Sequence, residues 1–540
     1  MSKEIIHSLT KGALSFFCGT LFSRVTGLIR DVSMAFFLGS TPLLAAFMVA
    51  FRFANLFRRL LGEGPLPSGF VPQFEAIRKD QPREGAVFFR DVFSSLFVVL
   101  LGVIVLLELC LFGLIHSGLL SMSSLEIVEL TMLMLPGILF ICLYGISSAL
   151  LQCEKKFFLP SFAPLFFNLV WILSVWLFRD KNSSLAVYAL SIAVVVGFCF
   201  QFSVLVPAIW RYMRAFLSLK ELAKCSLFSK DVRSMASPFI LGVMGIAGTQ
   251  INTALDAVFA RCASLEGPAY LWYAIRIEQL PIALFGVALS SALLPPLSRA
   301  LSVNDLGLFK ELFNFSFYKT LAFMLPCTVA LFVLSCSGVN LLYGRGGFSE
   351  EATLQTVYCL WGYGVGLLPS IFVLLMAPAF YSRKDYKTPM RAVIFSVLVN
   401  VFLNALFVFV FKWGAFSISL ATSLASWCNL VFLVFYLRKH DLLPASLYQS
   451  SYRVLLVSFF SGLCVFFLGS FFGGDQTFAV LFQKGSIVFS REFTEQSFLF
   501  FRQLGIFLVS LVVLSWIFQV EEILSILKIP SKKKVIKGID

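Results

Sequence analysis

The chain has 540 residues, of which 59% are hydrophobic and 13% are charged, and 63 of them are phenylalanine. This composition excludes a soluble globular protein, because such a protein needs far more charged side chains at its surface, and it indicates an integral membrane protein. The net charge of +14 does not indicate nucleic-acid binding, because Lys and Arg lie mainly at the ends of alternate hydrophobic runs. That distribution is the positive-inside pattern of membrane proteins, and we expect no nucleic-acid partner.

Apolar runs long enough to span a bilayer follow one another along almost the whole chain. A spanning helix needs about 20 residues, and about fourteen runs reach that length. They are too long for the roughly 10-residue strands of a membrane barrel. We therefore predict an all-α integral membrane protein with about fourteen transmembrane helices and no separate soluble domain. The runs are centred near Ser23, Val49, Val103, Met134, Leu169, Val195, Ala247, Leu284, Leu331, Leu368, Leu403, Leu424, Ser461 and Leu511.

The first run is interrupted by arginines and is not followed by an A-x-A-like cleavage site, so we expect a first transmembrane helix and not a signal peptide. If the amino terminus is cytoplasmic, roughly 31 of the 43 Lys and Arg residues lie on the cytoplasmic side and about eight lie outside. We therefore predict a multi-pass protein with both termini cytoplasmic. Four arginines are not explained by this topology, namely Arg24, Arg30, Arg52 and Arg276.

The sequence contains an internal repeat. LPSGFVPQF at 66–74 resembles LSSALLPPL at 289–297, and LLQCEKKFFLP at 150–160 resembles AFYSRKDYKTP at 379–389. The two offsets, about 223 and about 229 residues, agree closely. We therefore predict two pseudo-symmetric six-helix lobes followed by two further helices and a basic cytoplasmic tail, a plan that is common among transporters. The predicted domains are residues 1–225, 226–445 and 446–540.

Two arginines and an aspartate lie within the first apolar run, in the string FSRVTGLIRD at 22–31. A charged side chain at the centre of a membrane helix costs about 2.5 to 3.5 kcal/mol on insertion scales, so Arg24 and Arg30 require an explanation. One explanation is an internal salt bridge with Asp31, which shares a helix face with Arg24, or snorkelling of the arginines to the helix ends. The other explanation is a function in binding an anion.

Further arginines lie in the second and eighth predicted helices. FRFANLFRRLLGEG contains Arg52, Arg58 and Arg59 ahead of Glu63, and LWYAIRIEQLP contains Arg276. Arg58 and Arg59 are equally well explained as ordinary charges at a cytoplasmic helix end. Arginine binds phosphate in a planar, bidentate geometry and keeps its charge, while the many Phe and Leu side chains suit a lipid. We therefore expect a positively charged cavity, lined by the first helices of both lobes, that binds a lipid-linked phosphate or diphosphate.

No sequence pattern for catalysis competes with this interpretation. The chain has three histidines and contains no H-E-x-x-H, G-x-S-x-G or P-loop pattern, and the GRGG string at 344–347 lacks the lysine of a Walker motif. The 12 cysteines form no C-x-x-C pair, so neither a disulfide framework nor a zinc site is indicated. We expect a transporter and not an enzyme.

Several long strings resemble those of one known family. They are SRVTGLIRD at 23–31, NLFRRLLGEG at 55–64 followed by FVPQF at 70–74, GVALSSALLPPLS at 286–298, and APAFYSRKDYKTP at 377–389. The sequence resembles, over nearly its whole length, MurJ (also called MviN), the lipid II flippases of the MOP superfamily of bacterial exporters. The resemblance implies fourteen helices in two lobes around a cationic cavity, and a hydrophobic groove formed by helices 13 and 14 for a polyprenyl tail.

The resemblance also implies which residues bind the substrate. The family's functional arginines fall on Arg24, Arg30, Arg58 and Arg276, and an acidic position of the family falls on Glu63. With Arg52, which the residues themselves single out, these form the candidate substrate-binding set. The arginines would pair with the diphosphate of a lipid carrier during part of the transport cycle.

The chain departs from the family at two acidic positions. Ala45 stands where the family often has an aspartate, and Gln279 stands three residues after the helix 8 arginine where the family has an acidic residue, with Glu278 one position away. A mechanism in which those carboxylates gate the cavity is therefore in doubt for this chain.

Some relatives place a sodium ion between helices 7, 11 and 12. Asp256 matches that pattern, and Asn400, Asn404 and Thr422 are candidates for further oxygen ligands. A structural hydrogen-bonding role for the asparagines is an equally good explanation. We therefore expect no organic cofactor, with Na+ as the candidate coupling ion.

Together these observations predict a flippase of the bacterial cytoplasmic (inner) membrane. It would move lipid II, an undecaprenyl-diphosphate glycopeptide, from the inner to the outer leaflet by alternating access. The alternatives are another MOP-superfamily exporter of a polyprenyl-diphosphate oligosaccharide and a polyprenyl-linked membrane glycosyltransferase. The second alternative is disfavoured because the longest predicted loop, roughly residues 473–497, holds few acidic candidates.

Overall fold

The computed structural model describes residues 2–62, 64–283, 287–303, 305–383, 385–440, 451–471 and 489–526. All regular secondary structure in these ranges is helical, which confirms the predicted all-α class. Residues Met1–Val258 form one compact unit and residues Phe259–Asp540 form another. The domain boundaries inferred from the repeat stay a prediction.

The first unit begins with the helix that carries FSRVTGLIRD. Its helices are α1 (Ser2–Leu38), α2 (Pro42–Phe57), α3 (Pro65–Asp80), α4 (Pro82–His116), α5 (Met122–Met134), α6 (Gly137–Cys153), α7 (Phe158–Phe162), α8 (Pro164–Leu177), α9 (Ser183–Ser203), α10 (Val206–Phe216) and α11 (Leu219–Ala223). A π-helical turn, Arg58–Gly62, continues α2.

Helix α12 (Lys230–Ala263) passes from the first unit into the second. The remaining helices are α13 (Gly267–Pro281), α14 (Val287–Ser302), α15 (Leu306–Val333), α16 (Ser335–Tyr343), α17 (Glu350–Tyr381), α18 (Lys387–Ala405), α19 (Phe416–Lys439), α20 (Ser451–Phe471), α21 (Phe493–Ile517) and α22 (Glu521–Ile526).

Helix boundaries follow from residues with known preferences for helix ends. α2 begins at Pro42, which needs no donor at this position, and the hydroxyl of Thr41 accepts a hydrogen bond from the amide of Leu44. α17 is capped by Ser349 in the same way, and two glutamates in its first turn complement the positive end of the helix dipole. Gly39, with φ of 64°, ends α1 in a conformation that favours glycine.

Nine helices of the described residues are long and apolar enough to cross a bilayer, and the number is 11 if two bent pairs each count as one span. The bent pairs are Met122–Met134 with Gly137–Cys153, at 45°, and Lys230–Met244 with Ile246–Ala263, at 47°. All predicted span centres lie inside a helix except Leu284, which lies outside the described residues. α1, α2 and α13 are not among the nine, and the count of fourteen stays a prediction.

The two members of each repeated sequence pair occupy equivalent places. Residues 66–74 lie in α3 and residues 289–297 lie in α14, each a helix of 16 residues followed by a long apolar helix. Residues 150–160 include the end of α6 and the start of α7, and residues 379–389 include the end of α17 and the start of α18. The order of elements thus recurs in the chain, as the repeat predicts.

Aromatic side chains form the core that joins α3, α4, α6 and α10 in the first unit. Phe70, Phe74, Phe88 and Phe89 are all buried there, and the rings of Phe70 and Phe88 stack with their centroids 5.6 Å apart. Burying rings of this size is the main favourable contribution that a phenylalanine makes to packing. The core holds together the helix ends that carry the basic turns of this unit.

In the second unit, α17 and α19 pack through glycine and serine. Gly362 and Gly366 lie on α17, opposite Ser419 and Ser423 on α19, and a Cβ atom at either glycine would overlap a serine hydroxyl. The hydroxyl of Ser423 donates to the carbonyl oxygen of Gly362 at 2.6 Å. Small residues four apart allow membrane helices to approach closely, and we call these four residues the glycine–serine seam.

Candidate functional site

Arg30 is buried within α1, and its guanidinium is held by two polar side chains. Nε and Nη2 donate to Oδ1 of Asp31 at 3.0 and 2.8 Å, and Nη1 donates to Oδ1 of Asn168 at 3.1 Å. Arg30 is 8% exposed and Asp31 is 3% exposed. A buried charge needs both a counter-ion and hydrogen-bond partners, and this arrangement supplies them. Arg30 therefore forms the internal salt bridge with Asp31.

Asn168 of α8 also fastens α1 through the groups that precede Arg30. Its Nδ2 group donates to the carbonyl oxygen of Ser23 and to Oγ1 of Thr26, both at 3.0 Å. Asn168 thus satisfies both ends of its amide within two turns of α1. Asn168 was not among the residues predicted from the sequence, although a single asparagine in the apolar string PLFFNLVWILSVWL indicates a functional or structural polar contact.

An aromatic group lies against the guanidinium of Arg30. Its Cζ atom is 4.8 Å from the ring centroid of Trp171 and 6.0 Å from that of Phe167. Phe47 and Phe51 of α2 contact the indole edge-to-face at 5.3 and 5.2 Å, and Trp171 is fully buried. The first unit therefore binds the charge of Arg30 with a carboxylate, an amide and a tryptophan face.

Arg24 lies in a different environment on the same helix. Its side chain is exposed, and it makes no hydrogen bond or ion pair with any residue that the structure describes. It is not joined to Asp31, although the two lie seven residues apart on one helix face. An exposed guanidinium on α1 has all its donors available for an anionic group.

The second group of candidate arginines lies where α2 passes into the π-helical turn. Nε of Arg58 donates to Oδ1 of Asn55 at 2.9 Å, and the exposed Arg59 reaches Oε1 of Gln250 at 3.4 Å. Arg52 is half-buried one and a half turns earlier. π-helical turns are frequent at functional sites. Glu63, the predicted acidic partner in this region, lies outside the described residues.

Arg276 is the candidate arginine of the second unit, on α13. Its Cζ atom lies 4.3 Å from the ring centroid of Trp272, one turn earlier in the same helix. Glu278 is 8% exposed and forms no ion pair with Arg276 or with any other described residue. Gln279 is exposed, and Ala45 of α2 is fully buried. Neither of the latter two supplies the acidic group that the family has at its position.

Three of the four candidate sodium ligands meet in the second unit. Nδ2 of Asn404 donates to Oδ1 of Asn400 at 2.8 Å, and Nδ2 of Asn400 donates to Oγ1 of Thr422 at 3.2 Å. Asp256 belongs to the first unit, where Nδ2 of Asn252 approaches its carboxylate at 3.4 Å. Amide and hydroxyl oxygens are hard ligands of the kind that Na+ takes, so the oxygens of Asn400, Asn404 and Thr422 are of a type that fits such an ion.

A further cluster of charges holds residues 217–229, which we call the linker segment, against the first turns of α4. Nη1 of Arg90 donates to the carbonyl oxygen of Glu221 at 2.6 Å, and Arg83 pairs with the carboxylate of Glu221. The hydrogen bonds from Ser218 and the contact with Arg83 lower the pKa of Glu221 to about 2. None of these residues was predicted from the sequence to form a contact.

Buried side chains of α4 fasten the far end of the linker segment. The amide of Ser226 donates to Oδ1 of Asp91 at 3.1 Å, and the amide of Phe228 donates to the hydroxyl of Ser95 at 3.1 Å. Asp91 also accepts two hydrogen bonds from Arg90, at 2.6 and 2.9 Å. The segment that leads into α12 is thus fixed to α4 at Glu221, Ser226 and Phe228.

A model of the family described as lipid II flippase MurJ matches residues 34–490. The chain belongs to the MurJ family. A probable lipid II flippase MurJ of Chlamydia muridarum is 35% identical over 437 residues, which cover 80% of this chain and 79% of that protein. The lipid II flippase MurJ of Burkholderia cenocepacia is 30% identical over 435 residues, covering 79% and 83%. These matches confirm the family that the sequence strings indicate.

Solved structures show the same fold. A lipid II flippase MurJ in an inward closed conformation matches with a TM-score of 0.74 and 24% identity, covering 94% of this chain and 99% of that one. An inward-facing multidrug resistance MATE family transporter of the MOP superfamily matches with a TM-score of 0.63 and 15% identity, covering 78% and 95%. Membership of the MurJ family identifies the chain as a transporter, and the solved structures show that the fold is shared.

Proposed function

We propose that this chain moves lipid II from the inner to the outer leaflet of the bacterial cytoplasmic membrane by alternating access. The observation that carries the proposal is the match of the MurJ family model to residues 34–490. The buried and exposed arginines of α1 agree with it, because a carrier for a lipid diphosphate needs fixed positive charge within the bilayer. The exporter of another polyprenyl-diphosphate oligosaccharide and the glycosyltransferase are not favoured by the named relatives.

The arginines bind the diphosphate by charge-assisted hydrogen bonds, and no covalent bond is made or broken. Arg24 is exposed, so its donors are available to the diphosphate, and Arg58 is the first residue of a π-helical turn, a feature that is frequent at functional sites. Arg30 is paired with Asp31 in this conformation, so diphosphate binding by Arg30 requires an exchange of the carboxylate for a phosphate oxygen. Arg276 plays the corresponding part in the second unit. Arg52 and Glu63 complete the proposed set.

Both termini face the cytoplasm in this proposal, because Lys and Arg favour that side. A reporter enzyme that is active only in the periplasm, fused after Asp540, should therefore be inactive. An active fusion contradicts both the orientation and the even number of spans.

Na+ is the proposed coupling ion, bound by Asp256, Asn400, Asn404 and Thr422. The support is the chemistry of the oxygen donors and the clustering of the three side chains of the second unit. An ion that binds one conformation more tightly than another shifts the carrier between them.

Complementation tests the proposed function directly. The full chain is expressed in a bacterium depleted of its own lipid II flippase, and growth is measured together with the membrane level of the protein. Growth without the native flippase is the expected result. A chain that reaches the membrane at normal level and does not restore growth contradicts the assignment. An Arg179→Gln variant should also restore growth, because Arg179 forms an exposed ion pair with Asp180 and belongs to no proposed site. It is the matched control for substitutions of the candidate substrate arginines.

A further inference from the structure

Two of the candidate substrate arginines, one in each unit, lie over the face of a buried tryptophan. Cζ of Arg30 is 4.8 Å from the ring centroid of Trp171, and Cζ of Arg276 is 4.3 Å from that of Trp272. Trp171 is fully buried and Trp272 is 4% exposed. The two pairs are built differently, since Trp171 comes from α8 and contacts α1, whereas Trp272 precedes Arg276 by one turn of α13. The same arginine–tryptophan contact is therefore formed between two helices in the first unit and within one helix in the second.

Hydrogen bonding does not explain the position of Trp171. A buried indole N–H normally finds an acceptor, but Nε1 of Trp171 has none among the residues that the structure describes. The ring is instead surrounded by Phe47, Phe51 and Phe167, whose rings are steeply inclined to it with centroids 5.3, 5.2 and 5.7 Å away. The surroundings orient the flat face of the indole, and that face lies against Arg30.

A tryptophan face holds a guanidinium in a way that a carboxylate does not. The five N–H donors of arginine lie in the guanidinium plane, so a carboxylate uses them and neutralises the charge. An aromatic face contacts the guanidinium from above the plane, stabilises the cation and leaves the in-plane donors for another partner. It also lowers the penalty of keeping the charge away from water, which is large inside a membrane protein.

We propose that Trp171 and Trp272 are positioning residues for the transport reaction, and that each holds the guanidinium of one candidate substrate arginine in place while a phosphate group binds to it. At Arg30 the phosphate group takes the place of Asp31, which accepts hydrogen bonds from Nε and Nη2 in this conformation. This inference rests on the proposed function. Trp171 and Trp272 bind no substrate themselves and act on substrate binding through Arg30 and Arg276. Their removal should weaken substrate binding more than it slows transport at saturating substrate, because the charge itself remains.

The chain offers a matched control for this stacking contact. Trp176 lies on α8, five residues after Trp171, and Cζ of Arg179 is 5.1 Å from its ring centroid. Trp176 is 50% exposed, and its arginine belongs to no proposed site. A change at Trp176 removes a stacked Arg–Trp pair of similar geometry without touching a substrate arginine.

The test compares Trp171→Leu, Trp272→Leu and the control Trp176→Leu in the full chain, reconstituted in lipid nanodiscs and titrated with lipid II. Flipping of lipid II is measured in parallel in proteoliposomes. The two site variants should bind lipid II about 2-fold to about 30-fold more weakly, the range that a cation–π contact provides. Their maximal flipping rate should change less than their apparent affinity, and the control should behave as the wild type.

Phenylalanine variants keep the test decisive if a leucine variant does not fold. Trp171→Phe retains a ring and removes a donor that has no described acceptor, so it should fold and bind lipid II with intermediate affinity. Site variants that bind lipid II as tightly as the wild type overturn the inference, as do variants that lose thermal stability while their affinity is unchanged. A wild-type chain that does not bind lipid II at all overturns the proposed function instead.

Discussion

Oδ1 of Asn168 accepts a hydrogen bond from Nη1 of Arg30 at 3.1 Å, across 138 positions of sequence. Because the Nδ2 group of the same amide donates to Ser23, one side chain fixes both the charge and the backbone of α1. α1 and α8 therefore share a polar contact within an otherwise apolar interface, where an unsatisfied group is costly.

The first prediction concerns this amide. Asn168→Ala removes the acceptor of a charged hydrogen bond and leaves a buried donor unsatisfied, so it should lower the free energy of unfolding by about 1.5 to 3 kcal/mol. Thermal unfolding in detergent measures the effect. Asn182→Ala is the control, because Asn182 is exposed and its side chain makes no cap hydrogen bond. Equal melting temperatures for the two variants contradict the importance assigned to Asn168.

The second prediction separates charge from packing at the substrate arginines. Lysine at Arg24 or Arg276 keeps the charge but loses the planar, bidentate geometry, so growth in the complementation assay should fall partially. Glutamine keeps much of the length without the charge and should abolish growth. Membrane levels are checked by blotting. If well-expressed glutamine variants sustain growth, these arginines do not bind the diphosphate.

The third prediction concerns sodium. A bound ion stabilises the folded chain by RT ln(1 + [L]/Kd), which is about 2.7 kcal/mol at a hundred times Kd. Replacing KCl by NaCl at constant ionic strength should therefore raise the melting temperature, and Asp256→Asn should reduce that rise. A variant that keeps the full sodium-dependent shift leaves Asp256 and the Asn400–Asn404 pair with a structural role only.

The fourth prediction concerns the linker segment. Asp91→Asn should speed hydrogen exchange at the amide of Ser226, and Ser95→Ala should do so at Phe228, because each change weakens the acceptor of that amide. Mass spectrometry of peptides from this segment measures the exchange. Unchanged protection in both variants rules out the docking described here.

The same measurement tests the pH dependence of the linker segment. The pKa of Glu221 is lowered to about 2, below its value of about 4.3 in an unfolded chain. The stabilisation that its carboxylate gives the docked linker segment is therefore complete above the unfolded pKa. It is lost as the pH falls through the pKa of the folded state. Once intrinsic rates are corrected, protection attributable to Glu221 should be constant between about pH 5 and about pH 8.

The sequence predicts most of the helices and only part of the site, for physical reasons. Apolar runs of about 20 residues form helices in a bilayer because every backbone polar group must be satisfied within the segment, so the helix positions follow from the positions of the runs. Helix-face periodicity places Arg24 with Asp31, whereas the structure pairs Asp31 with its neighbour Arg30. The flexible arginine side chain can fold back toward an adjacent residue, which a face argument based on Cβ directions does not describe.

The partners that come from distant helices were beyond sequence reasoning. Asn168 and Trp171 reach Arg30 because α8 packs on α1, and no local pattern encodes which two helices pack together. By contrast, the match between residues 66–74 and 289–297 predicted equivalent elements correctly, because repeated sequence produces repeated local structure. Local sequence patterns thus predict the helices, whereas the contacts of each charged side chain depend on which helices pack together.

The glycine–serine seam between α17 and α19 bears on ion leakage. A carrier that opens alternately to two compartments must not let protons pass along its helix interfaces. At this seam the space beside Gly362 and Gly366 is filled by the hydroxyls of Ser419 and Ser423, so no water molecule fits between these paired residues. The hydroxyl proton of Ser423 is donated to a backbone carbonyl, and that of Ser419 is donated to the carbonyl of Phe416. We therefore expect no proton path between α17 and α19 at these four residues.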